Sequence, residues 1–297
     1  MTTYHFMPID VSGASKSDAR GINDLGTIVG SYAGSSGASH GFTDTGGRIS
    51  TYDAPGARDT SLNGINILGE RIGNSFSPPS YPEGERTGYG FTLSGDHQAI
   101  IGSASGFNDI PAGINDLGTI VGHVESQGRG IPVSDFVLDR TGKVTSISPP
   151  GVAPYATYPT GINDHGQIVG YYERFENIGN NTYTNVVHGF VDNNGTFTDI
   201  AVPGGTNVRP SGINNLGQIV GTYTDKSGKD EGFIDTNGTV TTIRAPGATE
   251  TAVNGINDLG QIVGQEDGHQ AFVATPACLS FDLGHLLGGW MPGFRRS

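Results

Sequence analysis

The chain has 297 residues, and 16 Lys+Arg against 29 Asp+Glu give a formal net charge of −13. Glycine fills 49 positions, more than twice its usual share, while charged residues make up only 15%. So low a charge argues against a solvated disordered chain, and the acidic balance argues against binding through nucleic-acid phosphates. A single cysteine, Cys278, excludes an intramolecular disulfide and a Cys-rich metal site. No run of eighteen apolar residues predicts a membrane span. The opening Met1-Thr2-Thr3-Tyr4 has no basic region followed by an apolar stretch, so no signal peptide is expected.

Residues 1–20 come first in chain order and look like one strand, Tyr4 to Ile9, with a turn ending at Gly13. Then a Gly-Ile-Asn triplet recurs at Gly21, Gly64, Gly113, Gly161, Gly212 and Gly255. Each triplet opens a unit of the same plan. Strand a holds Gly-Ile-Asn, and a turn such as Asn23-Asp24-Leu25-Gly26 follows, because Asn and Asp bond nearby backbone and Gly accepts positive φ. Strand b is a β-branched run ending in glycine, such as Ile120-Val121-Gly122, and strand c carries a Phe: Phe42, Phe91, Phe136, Phe190, Phe233 or Phe272. A Gly- or Asn-rich turn such as Asn193-Asn194-Gly195 leads to strand d. Four short strands per unit of about 40–50 residues is the pattern of a β-propeller blade.

The sixth unit, starting at Gly255, stops near Thr275 before any strand d. The N-terminal strand supplies what it lacks, and pairing the two removes the free edges of an open ring. The expectation is therefore an all-β, six-bladed propeller over residues 1–275 in one domain, with residues 1–20 closing the last blade. Residues 276–297 form a tail outside the repeat.

Within this plan the repeated Ile, Val and Phe fill the space between blades. The repeated Asn holds the a–b turn and satisfies buried backbone, and the glycine in strand b answers close packing of adjacent blades. Units such as Gly255-Ile256-Asn257-Asp258-Leu259-Gly260-Gln261-Ile262-Val263-Gly264, with His188-Gly189-Phe190 and Ala245-Pro246-Gly247-Ala248-Thr249, resemble the HAF-type repeats of bacterial extracellular repeat proteins. The resemblance spans about residues 4–275 and implies a bacterial, often exported protein. That family is defined by its repeat, so no activity carries over. Several units depart from His-Gly-Phe, as in Ser134-Asp135-Phe136 and Gln270-Ala271-Phe272.

Function is sought where units differ. The b–c connections are long in unit two (Asn74 to Gly88), unit three (His123 to Ser134) and unit four (Tyr171 to Val187), and they share one face with the d–a connections. Candidate ligand-binding residues there are Arg20, Arg58, Tyr81, Arg86, Tyr89, Glu125, Tyr155, Tyr171 and Glu250. Tyr offers a flat ring with a hydroxyl, and Arg binds carboxylates with two parallel hydrogen bonds. Such a face suits a glycan or a small polar or carboxylated ligand.

The competing reading is a lyase or hydrolase with His123 as base, Tyr172 as acid and Arg174 or Arg209 holding a carboxylate. A third is a structural or interaction ring that self-associates through the tail, which holds Cys278 and Trp290. No metal-ligand spacing, nucleophile elbow, phosphate loop or dinucleotide fingerprint is present, so no cofactor is predicted and a divalent cation is left open.

Overall fold

The computed structural model describes residues 3–77, 88–102, 107–126, 132–177, 179 and 182–277. They form six four-stranded antiparallel sheets arranged as blades around a central channel, with one short 3-10 turn at Pro154–Ala156. Blade one comprises Lys16–Ile22, Thr27–Ala33, Ser39–Thr45 and Arg48–Tyr52 as strands a to d. The last blade has the order Thr251–Ile256, Ile262–Glu266, Gln270–Pro276 and then Tyr4–Pro8 outermost. Tyr4 opposes Pro276 and Pro8 opposes Phe272, and the Phe6 ring lies 5.1 Å from that of Phe272. The first strand thus closes the ring, and strand a of every blade faces the channel.

The Asn of each triplet joins turn and ring together. In blade one the Asn23 side-chain oxygen accepts from the backbone N–H of Leu25 and of Thr27, which fixes the a–b turn. Its amide nitrogen donates to the backbone carbonyl of Asn66 in blade two at 3.0 Å. The same bond runs from Asn66 to Asn115, then to Asn163, Asn214 and Asn257, and from Asn257 back to Asn23, at 3.0 to 3.3 Å. All six side chains are buried, so each amide meets a carbonyl that water does not reach.

The strand-b glycine has a different cause from the one expected. A Cβ on Gly30 would run into the Asp18 carbonyl oxygen and the Phe42 ring, both in the same blade. Gly122 is hemmed in likewise by the Ile110 carbonyl and Phe136. The reason is a β-bulge in strand a of every blade, between Ala19 and Gly21 in blade one, which pushes that backbone towards strand b. Packing against the neighbouring blade falls instead to the triplet glycines. A Cβ on Gly113 would lie 2.9 Å from the Gly161 Cα.

The fourth unit also differs from expectation. Its long b–c connection is mostly sheet: Gln167–Asn177 pairs with Tyr183–Asn193 over eleven residue pairs, so the hairpin rises above the neighbouring blades. Blade three departs in the opposite sense, with a strand d of only Val144–Thr145.

Candidate functional site

The channel narrows where the strand-a bulges meet. The extra residue of each bulge points inward: Arg20, Asn63, Ala112, Thr160, Ser211 and Asn254. Four of these donate to the next blade and build most of a second hydrogen-bonded ring. Asn63 donates to the Pro111 carbonyl at 2.7 Å, Thr160 to Pro210 at 2.8 Å, Ser211 to Val253 at 2.6 Å and Asn254 to Ala19 at 2.8 Å. Ala112 has no donor to offer. Arg20 turns to Asp18 (3.0 Å) and to the Asn63 side-chain oxygen (2.9 Å), so its guanidinium is engaged within the ring.

Beyond this ring the loop face becomes asymmetric at blades three and four. His123 follows the strand-b glycine, and its Nε2 lies 3.2 Å from Glu125 Oε1. Its ring meets Tyr158 edge-on at 5.4 Å. Tyr158 sits directly across the sheet from Tyr171, and the two rings stack at 4.6 Å. The Arg209 guanidinium carbon lies 5.6 Å from the centre of the Tyr171 ring, a cation–π distance. Glu125, His123, Tyr158, Tyr171 and Arg209 thus form a continuous row across three blades. Loss of water, with Glu173 and Glu125 nearby, pushes the Tyr158 phenol up to about 12. Tyr158 is therefore a neutral hydroxyl at physiological pH, able both to donate and to accept.

A cleft of about 380 Å³ opens beside this row, between the 151–156 connection and the raised hairpin of blade four. Tyr158, Glu173, Phe175 and Asn185 line it. Period-two alternation puts Tyr171, Glu173 and Phe175 on one side of the hairpin. Asn185 Nδ2 donates to Glu173 Oε2 at 2.7 Å. Phe175 is 74% exposed, the largest apolar surface bordering the cleft.

Other candidate residues are placed elsewhere. Tyr172 lies on the opposite side of the hairpin, bonded to Asp199 Oδ1 at 3.2 Å and stacked on His188 at 5.0 Å, so it does not meet His123. Arg174 lines the cleft edge, but its guanidinium is held by Glu176 at 2.6 Å. Arg58 bonds Asp59 and the Gly37 carbonyl between blades one and two. Tyr89 packs there with Phe91 and accepts from Gln98 at 3.4 Å. The Glu250 backbone N–H donates to Asp267, well away from the cleft. Tyr155 belongs to the 3-10 turn beside the cleft. Tyr81 and Arg86 lie outside the described residues, as does the tail from Cys278 onward.

Sequence reading did not single out Tyr158, because Tyr158-Pro159 precedes the fourth triplet where other units carry Asp18, Ser61, Ile110, Arg209 or Ala252. The aromatic at that single position was the available signal. Among the described residues no cluster of three or more His, Cys, Asp or Glu is arranged to hold a metal ion. No helix among them is long and apolar enough to cross a membrane.

No protein-family model matches the chain, and no curated protein matches it. Solved structures do. Catalytically inactive virginiamycin B lyase from Staphylococcus aureus, with quinupristin, aligns at 12% identity and TM-score 0.51 over 93% of this chain and all of its own. AofleA from Arthrobotrys oligospora aligns at 12% identity and TM-score 0.51, covering 92% of this chain and 86% of that one. An α-L-arabinanase from Penicillium chrysogenum, complexed with arabinobiose, aligns at 13% identity and TM-score 0.50, over 93% and 97% respectively. At such identities the likeness is one of architecture, and with the six blades seen here it makes the chain a six-bladed β-propeller.

Proposed function

We propose that the protein is a ligand-binding propeller that takes a neutral glycan in the cleft between blades three and four. The observation that carries this reading is Phe175, an exposed aromatic ring at the edge of a concave site whose other groups are polar. A sugar presents an apolar C–H face and a rim of hydroxyls. Phe175 offers a flat surface to the first. Tyr158, Glu173 and Asn185 offer donors and acceptors to the second. The volume of about 380 Å³ falls within the usual small-ligand range of about 300–1,000 Å³.

Charge favours a neutral saccharide over a carboxylated one. Glu125 and Glu173 flank Tyr158, and the nearby Arg174 is already paired with Glu176. A uronate would meet two carboxylates and no free guanidinium at the cleft edge. The sugar-bound arabinanase shares the architecture, and no residue is carried over from it.

Isothermal titration calorimetry against neutral and uronic oligosaccharides tests the proposal. Neutral sugars bind the parent chain, and Phe175→Ala weakens that binding by about tenfold, the value of one lost aromatic contact. A chain that binds only uronates, or a Phe175→Ala variant that binds as tightly as the parent, overturns the reading.

The His123–Glu125 pair keeps a second reading in view, a lyase or hydrolase acting in the same cleft. Its signature is product formation that His123→Ala abolishes while sugar binding persists. Binding without turnover in the parent chain eliminates it.

A further inference from the structure

Blades two and three enclose a cavity of about 600 Å³. Ile100 and Ile101 wall it from the outer strand of blade two, His97–Ile101. Val124, Phe136, Leu138 and Val144 wall it from strands b, c and d of blade three. Ile100 and Val144 are 63 and 62% exposed at its rim, an apolar surface left open to solvent.

The repeat explains the space. In each blade one cross-strand pair, two residues beyond the strand-b glycine, lies on the same side of the sheet as the strand-c Phe. The pair is Tyr32–His40 in blade one, Ser75–Tyr89 in two, Tyr172–His188 in four, Tyr223–Glu231 in five and Glu266–Gln270 in six. In three blades its tyrosine ring meets the Phe at 6.4 to 6.5 Å: Tyr89 with Phe91, Tyr172 with Phe190 and Tyr223 with Phe233. Blade three has Val124 opposite Ser134, the smallest pair of the six, so no ring from this pair reaches Phe136.

The short strand d of blade three opens the space further. Asp135 lies on the other side of strand c from Phe136. Its carboxylate accepts from the Ile147 N–H at 2.7 Å and from Ser148 Oγ at 2.9 Å. The chain beyond Thr145 is thereby held on that other side, and strand d covers strand c only at Val137 and Leu138.

We infer that this cavity binds an uncharged aromatic molecule with a hydroxyl group, its ring packed against Phe136 as Tyr89, Tyr172 and Tyr223 pack in their own blades. An anionic ligand would meet Glu70, Asp109 and Asp139 against one arginine, Arg140, already paired with Glu70 at 3.4 Å. Ser134 Oγ donates to the Asp135 carbonyl at 2.8 Å and keeps its lone pairs for a ligand hydroxyl. The cavity shares no lining residue with the sugar cleft, so this inference stands independently of the proposed ligand.

Equilibrium dialysis with β-naphthol tests it. The parent chain should take up β-naphthol saturably, and the fully hydrogenated counterpart about fivefold more weakly, since it lacks the ring quadrupole. Val124→Tyr and Ser134→Tyr each return the missing ring by a different route, and each should weaken uptake at least about tenfold. Both variants should melt at or above the parent temperature, because the new ring fills existing space. Phe175→Ala, in the sugar cleft, should leave uptake unchanged. Absence of saturable uptake by the parent, or equal uptake of the hydrogenated compound, overturns the inference. So does full uptake by both tyrosine variants, a lowered melting temperature in both, or loss of uptake in Phe175→Ala, which assigns the naphthol to the sugar cleft.

Discussion

The two faces of the ring use repetition differently. On the a–b turn face all six units present the same buried Asn, and the residues form a closed circle of hydrogen bonds. On the loop face only blades three and four place His123, Tyr158, Tyr171 and Phe175 together, and no other blade repeats the set. Residues repeated around the ring mostly satisfy one another. Residues found once have no symmetry partner, and their polar and aromatic surface stays available to a ligand. The repeated leucines depart from this division, being identical in five units yet turned to solvent.

Substitutions of decreasing severity sharpen this contrast. Removing residues 1–8 deletes the outer strand of the last blade and leaves the outer edge of its third strand unpaired. We expect loss of cooperative thermal unfolding in calorimetry, the largest effect of all, and an unaltered melt would break the closure argument. Gly122→Ala comes next, since the new Cβ would run into the Ile110 carbonyl, the Phe136 ring and the Pro111 backbone. A cost above about 3 kcal/mol in chemical denaturation is expected, in the range of overpacked cores.

Asn115→Ala should cost about 1–3 kcal/mol, because it removes one amide from the circle, leaves the Asn163 carbonyl only the Gly166 N–H, and frees the Thr119 N–H that the Asn115 oxygen accepts. Phe175→Ala should lie within about 0.5 kcal/mol of the parent, as an exposed ring supports no core. An Asn115→Ala variant as stable as Phe175→Ala would erase the distinction between the faces.

The Tyr158 phenol gives the finest test. Its folded value of about 12 stands above the ordinary phenol value of 10.0. Between those two pH values the folded chain keeps a proton that the unfolded chain has released, so this contribution to stability is complete below pH 10 and declines as pH rises through about 12. Ultraviolet titration should show late-ionising phenols, the last of which Tyr158→Phe removes. Ionisation of every tyrosine together near 10 would contradict the packing of the row.

Most of the architecture was legible because a glycine, an asparagine and a phenylalanine recur at fixed places in each unit, and because Tyr4 to Ile9 had no other partner. What could not be read was direction. The bulge after Ala19 alters the alternation of strand a, so the origin of the Gly30 requirement was assigned to the wrong neighbour. The alternation of Tyr171 and Tyr172 sends adjacent tyrosines to opposite sides, which separates Tyr172 from His123. The connection from Tyr171 to Val187 has no turn residue before Asn177, and it stays in the sheet up to that residue. Tyr158 met Tyr171 through sheet register, which spacing alone does not supply.

The pairing of Tyr4–Pro8 with Gln270–Pro276 has a consequence for biosynthesis. Tyr4–Pro8 leaves the ribosome long before Gln270–Pro276 and must wait for that strand to emerge before it finds its place. Until then the nascent polypeptide holds an incomplete circle whose two ends expose strand edges, and chaperone demand should peak at that stage.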